Sequence, residues 1–292
     1  MTDMDLRLPD GRMLSVHETG PREAAALSLF WLHGSPQTGA LLPPLVDAAE
    51  ARGIRLVSYG RPSYGGSSPQ PGRTVASAAG DVAAIADALG IDRFAVMGAS
   101  GGGPHALACA ALLPDRVVGA VTLAGIAPFT DAFDWFAGMA SPGGLRAARQ
   151  GREARARYAE TAEFDATSFT AADWAALEAE WASLGADSVR AGSAGPDGLI
   201  DDDVAFATGC GFELGRIAMP VLLVQGGEDR VVPRSHADWL LRNIPTAELW
   251  LRPRDGHISV LRAVPIAMDW LVAGYPGGGL NVDGSARRWA LP

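Results

Sequence analysis

The stretch Val96-Met97-Gly98-Ala99-Ser100-Gly101-Gly102-Gly103-Pro104 limits the possible folds of this chain more than any other. Phe94 to Met97 reads as a short buried strand, and Pro104 to Leu113 reads as a helix with proline in its first turn. A serine between them must sit on a sharp turn, with glycine two positions before and two after, where a Cβ has no room. In a chain with 36 glycines among 292 residues the bare pattern G-x-S-x-G arises by chance roughly one time in four, so the flanking strand and helix carry its meaning.

The remaining pattern alternates. Asp5 to Glu18 reads as a hairpin around Pro9-Asp10-Gly11. Apolar runs follow at Ala26–Leu32, Ile54–Tyr59, Val117–Leu123, Pro220–Gln225 and Glu248–Leu251. Helical stretches near Val75–Leu89 and Ser235–Asn243 separate them, which predicts an α/β fold with a mostly parallel central sheet flanked by helices. Between Pro128 and Glu213 the pattern is helical throughout, too long for a plain crossover, and reads as an inserted helical cap. The expected division is a core of residues 1–127 and 214–292 with a cap of 128–213. Trp174, Leu177 and Trp181 recur at helical spacing and are expected on one helix face. Asp201-Asp202-Asp203 reads as a solvated loop, and the glycine-rich end near Gly277-Gly278-Gly279 as a flexible tail.

Composition removes several kinds of chemistry. The net charge is -9 with a pI near 5.0, which argues against nucleic acid as a partner. All 24 positive residues are arginine, so Ser-Lys dyads, Schiff bases and phosphate-loop lysines are excluded. The five histidines show no metal-ligand spacing, and no glycine-rich dinucleotide motif opens a helix, so neither a metal nor a cofactor is expected. Cys109 and Cys210 read as separate structural thiols. No apolar stretch reaches the roughly 18 residues of a membrane span. These features suggest a cytoplasmic protein acting on a small molecule, with no membrane or nucleic-acid partner and an oligomeric state left open.

Past the strand at 221–225, Glu228 and Asp229 both offer a carboxylate at the carboxyl edge of the sheet, where ligands bind. Asp255-Gly256-His257 follows the last strand, with Asp255 expected to cap the next turn. A hydroxyl, a carboxylate and an imidazole thus follow in chain order.

Taken together, His33-Gly34-Ser35-Pro36, Arg61-Pro62-Ser63-Tyr64-Gly65-Gly66-Ser67, the Ser100 turn, Gly227 to Pro233 and Gly256-His257 resemble the motifs of the α/β-hydrolase superfamily. The likeness is to its cap-bearing branch of esterases, lactonases, iminopeptidases, dehalogenases and epoxide hydrolases. It implies Ser100 as nucleophile, His257 as general base and Asp229, four residues before proline, as the acid orienting the imidazole. It also implies an oxyanion hole from the backbone N–H groups of Ser35 and Gly101, with His33 orienting that loop. His105 is expected to be a satisfied buried histidine. Two departures stand out: Gly60 occupies a position where relatives often have aspartate, and Ser35-Pro36-Gln37 differs from the Gly-Pro-Gly of proline iminopeptidases.

The dehalogenases and epoxide hydrolases of the branch use aspartate at the turn, because a serine ether could not be hydrolysed by their route. Serine there implies acyl transfer. The expected function is a serine hydrolase cleaving a small or medium, mostly uncharged ester or lactone through an acyl-enzyme. An iminopeptidase-like or carbon-carbon bond hydrolase on the same triad is the alternative. A non-catalytic ligand-binding member of the fold is a third reading.

Overall fold

A computed structural model of the protein describes residues 1–21 and 25–274; the glycine-rich end and Trp289 lie outside them. Among the described residues the strands are β1 (Thr2–Arg7), β2 (Met13–Thr19), β3 (Leu27–Leu32), β4 (Ile54–Tyr59), β5 (Phe94–Ala99), β6 (Val117–Leu123), β7 (Val221–Gly226) and β8 (Ala247–Arg252). They form one sheet in the order β1-β2-β4-β3-β5-β6-β7-β8. β2 runs antiparallel to both β1 and β4, and every pairing from β4 to β8 is parallel. β4, β5 and β7 are wholly buried, as parallel strands covered on both faces are; β5 has only apolar side chains, while β4 carries Arg55, paired with Glu18, and Ser58, and β7 carries Gln225.

Helices α1 (Pro43–Glu50), α2 (Ser77–Ala88), α3 (Gly102–Leu112) and α9 (Arg234–Asn243) connect the strands, and α10 (Val264–Gly274) closes the described fold. Leu45 and Ala49 of α1 pack with Ala267, Met268 and Leu271 of α10 in one apolar cluster. Val82 and Ile85 of α2, Leu107 of α3 and Leu240 of α9 pack in a second one. Helix α3 is buried along nearly its whole length, which explains its run of glycine, alanine and cysteine: small residues let it lie close on the sheet.

Between β6 and β7 the chain builds α4 (Gly143–Ala148), α5 (Arg152–Ala159), α6 (Ala171–Glu178), α7 (Ala182–Ser193) and α8 (Asp197–Ala207). Two expectations fail here. Trp174, Leu177 and Trp181 do not share a helix face, because α6 ends at Ala179 (φ -119°, ψ -112°) and Trp181 is the residue that precedes α7. Trp174 instead packs its ring against Phe164 and Phe169, and Trp181 is buried. Nor is Asp201-Asp202-Asp203 a solvated loop. All three lie buried in α8, and each carboxylate meets its own arginine: Arg152 with Asp201 at 2.7 Å, Arg61 with Asp202 at 2.6 Å and Arg155 with Asp203 at 2.6 Å. Charge runs are solvated by default, but planar guanidinium forks can replace that water inside a fold.

Cys109 and Cys210 are free thiols, and burial pushes the Cys109 thiol well above its usual pKa. Among the described residues no helix is long and apolar enough to cross a membrane.

Candidate active site

Parallel strands place the loops that follow them on one edge of the sheet. The loop after β3 carries His33 to Gln37, the turn after β5 carries Ser100, the turn after β7 carries Asp229, and the turn after β8 carries His257. Four segments distant in sequence therefore meet at one place.

Ser100 adopts φ 52°, in the left-handed region that costs an L-residue about 1–2 kcal/mol. The turn is held by the Ser100 N–H donating to Leu123 O at 2.8 Å and by Gly103 N–H donating to Ser100 O at 3.0 Å. A Cβ on Gly98 would overlap the Gly102 carbonyl, and one on Gly102 would overlap the carbonyl of Leu32, so the strained turn closes only with glycine at both places. The result is a half-buried hydroxyl facing a cavity of about 690 Å³ that His257 also lines.

Ser100 Oγ lies 2.9 Å from His257 Nε2, and His257 Nδ1 lies 2.8 Å from Asp229 Oδ2. Asp229 is itself fixed: its Oδ1 accepts from Val231 N at 2.9 Å and Val232 N at 2.8 Å, and Gln225 Nε2 donates to Oδ2 at 3.3 Å. Its neighbour Glu228 is exposed. Burial works against protonation of His257, but the Asp229 charge and hydrogen bond outweigh it, and the net effect raises the imidazole pKa above its usual 6.5. Asp255 does not cap the following turn. It pairs with Arg252, and Gly256 N–H donates to Ser259 Oγ at 2.7 Å.

Beside the serine, the β3 loop turns through a cis Ser35-Pro36 peptide, and Gln37 Oε1 accepts from Gly34 N at 2.6 Å. Ser35 reaches Gly101 closely enough that a Cβ on Gly101 would lie 2.6 Å from Ser35 Oγ. His33 stands behind this loop, with Nδ1 2.7 Å from Gly34 O and Nε2 accepting from Arg61 N at 3.1 Å. Burial, seconded by the Arg61 charge, drives its pKa well below the usual value, so this imidazole is neutral and structural. His105 is buried against Val75 O at 3.2 Å and His236 against Trp135 O at 2.9 Å, while His17 meets Asp3; none of the three lines the cavity. Gly60, where an aspartate seemed missing, has no room for one: a Cβ would come within 2.6 Å of Tyr64 O and 2.8 Å of Thr38 O.

The sequence pattern of the alpha/beta hydrolase fold matches residues 28–263, well over half of the chain. The chain belongs to the α/β-hydrolase family. The human serine hydrolase BPHL is 26% identical over 257 residues, covering 87% of this chain and 79% of that protein. A pimeloyl-[acyl-carrier protein] methyl ester esterase of Nitrosomonas europaea is 41% identical over 49 residues, which span only 17% of this chain and 19% of the esterase. Among solved structures, the enol-lactonase of Burkholderia xenovorans LB400 superposes with a TM-score of 0.70 at 21% identity, covering 93% of this chain and 99% of that one. An esterase from Thermogutta terrifontis gives a TM-score of 0.70 at 19% identity, covering 94% and 99%. At such identities the structural likeness speaks for the α/β-hydrolase fold alone.

Residues outside the motifs also reach the loops of the site. Three aspartates with wholly buried side chains, one from each of α6, α7 and α8, reach out of the inserted helices and hold loops of the site. Asp187 accepts from Thr38 N at 3.0 Å and from Thr38 Oγ1 at 2.6 Å. Asp202 takes Arg61, Arg73 at 2.7 Å, Tyr64 Oη at 3.1 Å and the Ser35 hydroxyl. Asp173 accepts the backbone N–H groups of Ile258 and Ser259, both at 2.8 Å, beside His257. Of the three, only Asp173 carries a local signal, the Thr170-x-x-Asp173 capping box that starts α6.

Proposed function

We propose that this protein is a serine hydrolase that cleaves small or medium, mostly uncharged esters or lactones through an acyl-enzyme, with Ser100, His257 and Asp229 as catalytic residues. One observation carries the reading: a serine, an imidazole and a carboxylate joined at 2.9 Å and 2.8 Å, with the serine facing a cavity of about 690 Å³. A hydroxyl is a weak nucleophile until a base takes its proton, and His257 Nε2 is within reach to do so. Asp229 holds the tautomer with Nδ1–H and stabilises the imidazolium once the proton has moved.

Ser100 Oγ attacks the substrate carbonyl, and the oxyanion that forms is met by the backbone N–H groups of Gly101 and Ser35. Losing one such donor typically costs about 3–4 kcal/mol of transition-state stabilisation. The imidazolium then returns its proton to the departing alkoxide, leaving an ester on Ser100. Water, deprotonated by the same imidazole, attacks that ester and releases the acid.

The cavity speaks for the substrate class. Its wall is mostly apolar, with Trp31, Phe169, Leu177, Trp181, Leu184 and Leu261, and its outer rim carries the carboxylates of Glu163 and Asp165. No arginine occurs among its described lining residues, so a substrate carboxylate would be buried without a partner. Leu177, Trp181 and Leu184 come from the segment between β6 and β7, which supports reading residues 128–213 as a cap over the core. The acidic charge agrees with action on small molecules and not on nucleic acid.

The test is labelling with a fluorophosphonate, followed by mass, together with hydrolysis of p-nitrophenyl butyrate and a neutral lactone. The expected result is one adduct on the wild type and none on Ser100→Ala, with turnover of the neutral substrates and little of a succinate monoester. An adduct on both proteins, or on neither, removes the reading; strong preference for the charged ester removes the substrate class.

A further inference from the structure

Asp173 sits at the third position of α6, where its carboxylate closes a capping box: Asp173 N–H donates to Thr170 Oγ1 at 3.2 Å, and Thr170 N–H donates to Asp173 Oδ2 at 2.9 Å. A cap needs no more than that. Yet the same carboxylate crosses to the turn after β8 and accepts from three consecutive backbone amides, His257 at 3.2 Å, Ile258 at 2.8 Å and Ser259 at 2.8 Å, and from Ser259 Oγ at 2.8 Å. Gly256 fits this purpose, since any Cβ there would overlap the Asp173 carboxylate. The backbone on which the imidazole is mounted is thus gripped by an element of the inserted helices.

We propose that Asp173 is a positioning residue for His257, which fixes the turn carrying the imidazole so that helix α6 must be docked before Ser100 has a working base. This rests on the catalytic roles given above to Ser100 and His257. A proton acceptor displaced by about 1 Å can lose about 10²-fold in rate, so rigid mounting of its backbone matters as much as its own hydrogen bonds. The charged groups acting on the imidazole are Asp229, from the turn after β7, and Asp173, from α6, and both favour its protonated form. Burial pushes the Asp173 carboxyl upward, but its bonds to Ser259, Thr170 and Ile258 outweigh this and hold it below the usual carboxylate pKa, hence ionised.

The experiment compares Asp173→Asn, Asp173→Ala, Gly256→Ala and the double variant Asp173→Ala/Gly256→Ala with wild type on p-nitrophenyl butyrate, with active sites counted by fluorophosphonate. Asp173→Asn is expected to lower kcat by about 10²-fold with KM within about twofold, and to move the acid limb of kcat/KM to lower pH because one anion near the imidazole is gone. Gly256→Ala should cause a similar loss alone but little further loss in the Asp173→Ala background, the signature of two changes acting through one contact.

A purely structural cap would give lower thermal stability with unchanged kcat per active site and an unmoved pH limb, and that outcome overturns the proposal. Should the variants fail to fold, amide exchange in the wild type decides. The His257, Ile258 and Ser259 amides are expected to be as protected as the backbone of α6, and exchange at exposed-loop rates overturns the proposal. Activity surviving in Ser100→Ala would instead remove the catalytic reading, whatever Asp173 does.

Discussion

Replacing Asp202 by alanine is expected to unfold this protein far more readily than the same change at a surface ion pair. Asp202 is fully buried, as are Arg61 at 1% and Arg73 at 6% exposure, and the two guanidiniums approach it at 2.6 Å and 2.7 Å. Alanine would leave two cations buried with no anion between them and free the Ser35 hydroxyl from its acceptor. Breaking a buried pair in this way costs about 3–5 kcal/mol. Asp269 makes an equally short bond to Arg52, at 2.7 Å, but its side chain is 58% exposed, and such a pair contributes about 1 kcal/mol or less.

With an unfolding entropy of about 2.1 cal/mol/K per residue, 3–5 kcal/mol corresponds to a drop in Tm of roughly 5–8 °C, against about 2 °C or less at Asp269. Thermal scans and urea titrations at pH 7 on both variants supply the comparison. Burial alone would raise the Asp202 carboxyl, but Arg61 and Arg73 hold it well below the usual 3.8. Its stabilisation is therefore complete above the unfolded value and is lost only as the pH falls through the lower folded one, so the gap between wild type and variant should persist down to about pH 4. Equal Tm losses at Asp202 and Asp269 would refute the premise that burial, and not bond length, decides what these pairs contribute.

Other expectations concern single positions. Ser100→Gly should abolish turnover but be about 1 kcal/mol more stable than Ser100→Ala, since glycine relieves the positive φ that alanine keeps; equal melting of the two in urea would deny the strain. Because the His257 pKa is raised above 6.5, kcat/KM should climb with pH through a midpoint above that value, and a flat profile from about pH 5 to 8 would exclude His257 as the base. Burial, only partly offset by Arg155, lifts the Asp203 carboxyl to about 6. A raised carboxyl favours folding below its unfolded pKa and loses that contribution as the pH rises through 6, so wild type should lose stability relative to Asp203→Asn between about pH 4 and 6. Tm differences that do not change over that range would contradict the shift.

The parts legible in the sequence are those a local rule dictates. Buried parallel strands are rich in apolar residues, so β3 to β7 could be located from hydropathy. The Ser100 turn could be located because its glycines answer a steric demand of the backbone within five residues. The family resemblance then named Asp229 over Glu228, which periodicity alone left open; the fold buries Asp229 and exposes Glu228. What stayed illegible depends on partners distant in sequence. The spacing from Trp174 to Trp181 suits one helix face, but the α6 break at Ala179 is a tertiary choice that buries Trp181.

Asp202 in a run of three acids looks solvated because its arginines lie 141 and 129 positions earlier, at Arg61 and Arg73. Asp173 went unnoticed in the sequence because the amides it serves lie more than 80 positions later. Asp173 and Asp202 share a trait: each is a carboxylate spanning from the helices between β6 and β7 to a loop beside Ser100 or His257. Their burial costs solvation that only these partners return, so shifting the helices between β6 and β7 away from the sheet edge would leave Asp173 and Asp202 buried without them. The same distance in sequence that hid them from a linear reading ties the helices between β6 and β7 to the Ser35 and His257 loops.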